Sequence, residues 1–170
     1  VRSKDGKAIN VNHLAPSFTT FTGHNPSFRA ITLDVKTKLP VKIETYTLNM
    51  RKANLNDENA KFLFAHELAA EYNLHDLSPN SFLNLTSRFR TDEAIALKYE
   101  NNKSARGVAS PVSNGCDDEC RKALACHTSN SVYADARECY SWTYYDQKLF
   151  LSYLYDFVFG PWVVRNNPKL

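Results

Sequence analysis

Four cysteines and five histidines are the residues in this sequence with the widest chemical range. Cys116, Cys120, Cys126 and Cys139 share one stretch, CDDECRKALACHTSNSVYADAREC, with gaps of three, five and twelve residues. An even set of clustered thiols points to disulfides, and so to an oxidising compartment. The competing chemistry is structural zinc, which favours paired Cys-x-x-Cys knuckles. Here the first pair is Cys-x-x-x-Cys, and the nearby imidazole, His127, directly follows Cys126. Disulfides are therefore the expectation, and bridged sulfurs leave no thiolate nucleophile. The histidines, His13, His24, His66, His75 and His127, include no pair at a ligand-like spacing on one element. The serine-hydrolase pattern Gly-x-Ser-x-Gly is absent. The five glycines form no loop able to cradle a phosphate. Two sequons, at Asn84 and Asn102, mark candidate glycosylation sites and agree with secretion.

The elements that must position these residues belong to a chain of 170 residues with a net charge of +3 and a pI near 8.6. That length suits one medium domain with its own core. The charge balance is too mild for a nucleic-acid partner, and no basic stripe interleaves with aromatics. No apolar run is long enough for a membrane span. No signal peptide is legible, and the chain opens on Val1 rather than Met. The expectation is that something upstream was removed or is not shown.

Residues 11–14, 28–35 and 41–48 are predicted strands, short and rich in β-branched and aromatic side chains, with turn formers between them. Along the last, Ile43, Thr45 and Thr47 take one face and Glu44, Tyr46 and Leu48 the other. Phe64, Leu68 and Tyr72 recur every four residues, which predicts an amphipathic helix over 57–72. Ser78-Pro79 reads as N-cap and first helical position, with Phe82, Leu85 and Phe89 on one face. Further helices are predicted over 92–100 and 117–126, with 101–115 as an exposed loop between them. From Tyr140 the chain turns strongly aromatic. The segment reads as a buried C-terminal helix or as a patch for a partner, lipid or membrane surface. Strands followed by helices make an α+β layout. Three strands are a poor independent sheet, so this one looks like the edge of something larger.

The cysteine spacing resembles the C-terminal helical subdomain of the acid sphingomyelinase family, which includes the acid-sphingomyelinase-like phosphodiesterases. Three other segments agree in order. LAPSFTTFTGHNPSFR resembles the family's Ala-Pro-Ser…Asn-Pro-x-x-Arg segment. ETYTLNMRKAN resembles its Tyr-x-Leu-Asn-x-x-x-Ala-Asn passage, and EYNLHDLSPNSFLNL its Tyr-x-Leu…Leu-x-Pro stretch. The match runs over about residues 8–139.

The resemblance implies disulfides Cys116–Cys120 and Cys126–Cys139. It implies three parts: the last strands of a calcineurin-like metallophosphoesterase sandwich (1–54), a disulfide-stapled helical subdomain (55–140) and an aromatic-rich tail (141–170). Such enzymes use two zinc ions and a bridging hydroxide to attack phosphorus. Their ligands come from Asp-x-His, Gly-Asn-His-Asp/Glu and Gly-His-x-His motifs, and none of these occurs here. The implied reading is a C-terminal fragment that closes the fold and lines part of the substrate cleft. Catalysis would need the upstream portion of the same enzyme, in a secreted or lysosomal setting. By resemblance, Phe21, His24 and Asn25 lie near the cleft, while Arg29 more simply serves loop carbonyls or an ion pair. The alternative is a non-catalytic secreted module binding lipid or protein, similar to saposin-like binders but with four cysteines rather than six.

Overall fold

The computed structural model describes residues 1, 3, 5–20, 23–107 and 115–140. Phe21 and the aromatic tail 141–170 lie outside the described residues. Strands β1 (Ser27–Leu33) and β2 (Pro40–Thr47) form an antiparallel hairpin, with Ser27 opposite Thr47 and Ile31 opposite Ile43. Asp34 builds the turn. Its carboxylate accepts from the Lys36 and Thr37 amides at 3.0 and 2.7 Å, and Lys38 takes a left-handed φ of 61°. Strand β3 (Leu63–Glu67) pairs antiparallel with β2, giving the order β1-β2-β3.

β3 corrects the helix expected over 57–72. One 3-10 turn forms at Asp57–Asn59, the chain extends through β3, and only Leu68–Tyr72 is helical (α2). The every-four spacing is genuine at Leu68 and Tyr72, which are both buried. Phe64 instead meets Tyr46 across the strands, ring centroids 5.9 Å apart. The Glu67 carboxylate then accepts from the amides of Ala69 and Ala70, which starts the helix at Leu68. The strand expected at 11–14 is also absent: these residues are irregular. Their groups are used otherwise, with Leu14 O accepting from Arg29 at 2.9 Å and the His13 ring edge against Phe82 at 5.3 Å.

A short α1 (Met50–Ala53) follows β2, and α3 (Pro79–Arg88), α4 (Glu93–Lys103), α5 (Asp118–Ser129) and α6 (Tyr133–Tyr140) complete the described chain. The caps explain where the long helices begin. Ser78 precedes Pro79 and accepts from the Ser81 amide, Asp92 from the Ile95 amide, and Asp117 from the Cys120 amide. The exposed loop expected from residue 101 is corrected in part, because α4 continues to Lys103 and both Ser104 and Ala105 are buried.

Helices pack on one face of the sheet at β2 and β3, while Ile31 on β1 stays exposed on that side. Ile43, fully buried, shares a core with Leu68, Tyr72, Leu85, Phe89, Ala96, Leu124 and Ala125. Leu85 and Phe89 come from the predicted face of α3. Two disulfides secure the helical side. Cys116–Cys120 ties the entry of α5 to its first turn, with Cα atoms 5.2 Å apart. Cys126–Cys139 joins α5 to α6 at 5.6 Å, beside a second small core of Ala123 and Tyr140. The chain is thus α+β with a disulfide-stapled helical part.

Candidate functional site

A pocket of about 200 Å³ opens where the inner face of β2 and β3 meets the loop before β1 and the turn after α4. Its polar lining includes Asn25, Thr45, Asn49, His66, Asn102 and Arg106. Strand alternation puts Thr45 and His66 on the same face, directly opposite each other. Both are buried, and among the described residues the Thr45 hydroxyl and both His66 ring nitrogens lack hydrogen-bond partners. Burial pushes the His66 pKa below the ordinary imidazole value. Glu71 opposes that shift, and Arg106 and Arg29 add to it.

The walls are more tightly bonded. Asn25, itself buried, donates through Nδ2 to Ala105 O at 3.0 Å and accepts from the Met50 amide at 3.1 Å. It thereby joins the loop, α1 and the turn after α4. Gly107 supports the same junction. A Cβ there would collide with Gly23 O and lie 2.9 Å from the Asn25 nitrogen, so only glycine permits this approach. Asn102 donates through Nδ2 to Glu71 Oε1 at 2.9 Å and to the Tyr72 hydroxyl at 3.0 Å. Arg106 donates to Asn102 Oδ1 at 3.1 Å and pairs with Glu71 at 3.3 Å.

Chemically this is a site for hydrogen bonding. A buried imidazole, its pKa lowered by burial, lies opposite a hydroxyl, with Lys52 and Arg106 on the lining. Among the described residues, no carboxylate is hydrogen-bonded to His66 Nδ1 or Nε2.

The structure disperses the other histidines. His13 packs on Phe82, His75 lies near Asp76 at 3.4 Å, and His127 lies near the Tyr140 ring at 6.1 Å. His24 sits half-buried in the loop that meets Gly107, next to Asn25, so these two cleft candidates flank the junction. Arg29 serves a loop carbonyl. Among the described residues no three His, Cys, Asp or Glu side chains form a group able to hold a metal ion. These residues therefore do not fit a zinc centre. All four cysteines are bridged. Of the sequon asparagines, Asn84 is exposed on α3. Asn102 uses both hydrogens of the nitrogen that a glycan would occupy for its bonds to Glu71 and Tyr72, so a glycan there would cost at least one of the two. Sequence reasoning missed Thr45, Asn102 in this role, and Arg106. It considered His66 only as a helical residue. The alternation around Thr45 was the available signal, and it needed β3 to become meaningful.

The sequence that folds in this way matches a known protein region. Residues 7–153 match the family model described as the acid sphingomyelin phosphodiesterase C-terminal region. The chain belongs to that family. It is 27% identical over 130 residues to sphingomyelin phosphodiesterase A of Dictyostelium discoideum, covering 76% of this chain and 21% of that protein. It is 27% identical over 124 residues to human sphingomyelin phosphodiesterase, covering 71% and 19%. For sphingomyelin phosphodiesterase 2 of Caenorhabditis elegans the identity is 23% over 144 residues, covering 78% and 22%. The chain thus spans about a fifth of the length of the curated relatives it matches.

Proposed function

We propose that this chain is the C-terminal part of an acid-sphingomyelinase-like phosphodiesterase, and that it closes the fold and lines part of the substrate cleft. The match over residues 7–153 to a C-terminal region carries the reading. In this reading the metal-bearing metallophosphoesterase portion lies upstream and holds the two zinc ions that such chemistry uses. Phe21, His24 and Asn25 stand at the cleft side. The two disulfides favour a secreted or lysosomal setting. A lipid or membrane surface is the natural neighbour of an enzyme of this class, since its named relatives act on sphingomyelin.

Hydrolysis of an aryl phosphodiester at acidic pH, with and without zinc, tests the reading. The 170-residue chain should show no turnover above a zinc-only blank. The polypeptide that includes the upstream portion should show zinc-dependent turnover. Saturable zinc-dependent turnover by the chain alone, lost on His13→Ala or His24→Ala, would overturn the proposal.

A further inference from the structure

In the pocket between β2, β3 and the turn after α4, the acceptors are already bonded and donors are left over. The side-chain oxygens of Asn25 and Asn49 accept from the Met50 and Lys52 amides, and that of Asn102 accepts from Arg106. The Ala105 carbonyl accepts from Asn25. On the donor side, the Lys52 ammonium, the Asn49 side-chain nitrogen and the Thr47 hydroxyl make no bond to any described residue. Arg106 uses Nε for Asn102 and one Nη for Glu71, so most of its five N–H donors are unclaimed. Behind these exposed cations lie Thr45 and His66, only 5% and 6% exposed, with the hydroxyl and both ring nitrogens unbonded. Among the described residues no carboxylate lines the pocket, and Glu71 is engaged by Arg106 and Asn102.

We infer that this pocket is a binding site for a small oxyanion of the phosphate or sulfate type, held by Lys52 and Arg106 at its mouth and by Thr47 and Asn49 beside them. A set of donors without free acceptors is completed by a ligand that brings acceptors. Two cations with no carboxylate between them make that ligand an anion. One water is too small to be the occupant, since its share of about 30 Å³ is a fraction of the pocket's 200 Å³. His66 makes the site respond to acid. The charged groups that act on its ring are Glu71 on α2, Glu67 on its own strand, Arg106 and Arg29. An anion in the pocket adds a negative charge that favours the imidazolium, so anion and proton each strengthen the binding of the other.

Equilibrium dialysis of the 170-residue chain against radiolabelled sulfate, and separately phosphate, tests the site. Saturable binding of one anion per chain is expected. Lys52→Gln and Arg106→Gln should each weaken it at least about threefold, and the double variant at least about tenfold, because each change removes a charge-assisted contact. Lys36→Gln, in the hairpin turn and outside the pocket, controls for net charge and should leave binding nearly unchanged. Thr47→Val keeps both cations and should also weaken binding, which keeps the test open if the Arg106 variant fails to fold. Sulfate holds its charge between pH 7 and 5. It should therefore bind at least about threefold more tightly at pH 5, and His66→Gln should lose most of that gain. Phosphatidylcholine vesicles carrying phosphatidic acid separate the sources of the anion. Displacement of labelled sulfate by these vesicles, and not by phosphatidylcholine alone, assigns the site to a phosphomonoester headgroup. Displacement by free phosphate alone assigns it to a soluble anion. Absence of saturable binding overturns the inference. So does binding that Lys52→Gln and Arg106→Gln weaken no more than Lys36→Gln does. An unchanged pH profile in His66→Gln removes the proton linkage.

Discussion

Thr45 and His66 lie directly opposite each other on adjacent strands, both buried, and neither side chain finds a hydrogen-bond partner among the described residues. Leaving such groups unbonded has a cost, so their burial marks the least settled point of the inner face. It also sets a pH dependence.

The folded pKa of His66 is lowered, chiefly by burial. The unfolded chain therefore takes up a proton near the ordinary value of about 6.5, before the folded chain does. The His66 contribution is fully present above that value and is lost as pH falls below it toward the folded pKa. His13 is lowered in the same direction, by burial and Arg29. His66→Gln should flatten the fall in the denaturant midpoint between pH 7 and 5 and leave a smaller slope from His13. An unchanged slope would show that His66 titrates normally in the folded chain.

Asp76 gives the opposite sign. The hydroxyls of Ser78 and Ser81, with the Ser78 amide, hold its carboxyl well below the ordinary carboxylate range. Its contribution is present above the ordinary value near 3.9 and is lost as pH falls below it. Asp76→Asn should lower the melting temperature at pH 6 more than at pH 3. Equal losses at both pH values would count against the cap at α3.

The two disulfides should differ in weight. In the chain-entropy model the 13-residue separation of Cys126–Cys139 corresponds to about 3 kcal/mol, and the separation of 4 in Cys116–Cys120 to about 2 kcal/mol. Guanidinium unfolding of the two double-alanine variants should give the larger shift for the α5–α6 bridge. Cys116 and Cys126 are both fully buried, so each bridge carries a packing loss of the same kind and the ranking rests on loop length.

Gly107→Ala should destabilise the chain by about 1–3 kcal/mol, because the new methyl meets backbone of residues 23–25 rather than a mobile side-chain end. Thermal unfolding measures this directly. Gly6→Ala is the useful contrast: nothing lies within 4 Å of its added Cβ, and its φ of +83° isolates backbone strain from collision.

The parts legible in the sequence were those with local causes. Ser78-Pro79, Asp92 and Asp117 announce their helices because a cap bonds only three residues ahead. The hairpin followed from alternation on β2. The disulfide pairing came from the family resemblance. β3 was hidden because Phe64, Leu68 and Tyr72 satisfy a helical period, and the preference for a strand arises from Tyr46, eighteen positions earlier. The pocket was hidden for a related reason. Asn25, Thr45, His66 and Arg106 come from separate segments and meet only after the sheet and α4 are in place.

The bond from Asn25 to Ala105 spans 80 residues. On a ribosome adding about 5–20 residues each second, that span is about 4–16 s of synthesis. The hairpin can close as soon as Thr47 emerges, but the loop before it must wait for the end of α4. The junction at Asn25 and Gly107 is therefore among the later structures to form in a growing chain. Until then, the backbone of the residues beside the proposed cleft stays accessible to whatever assists folding.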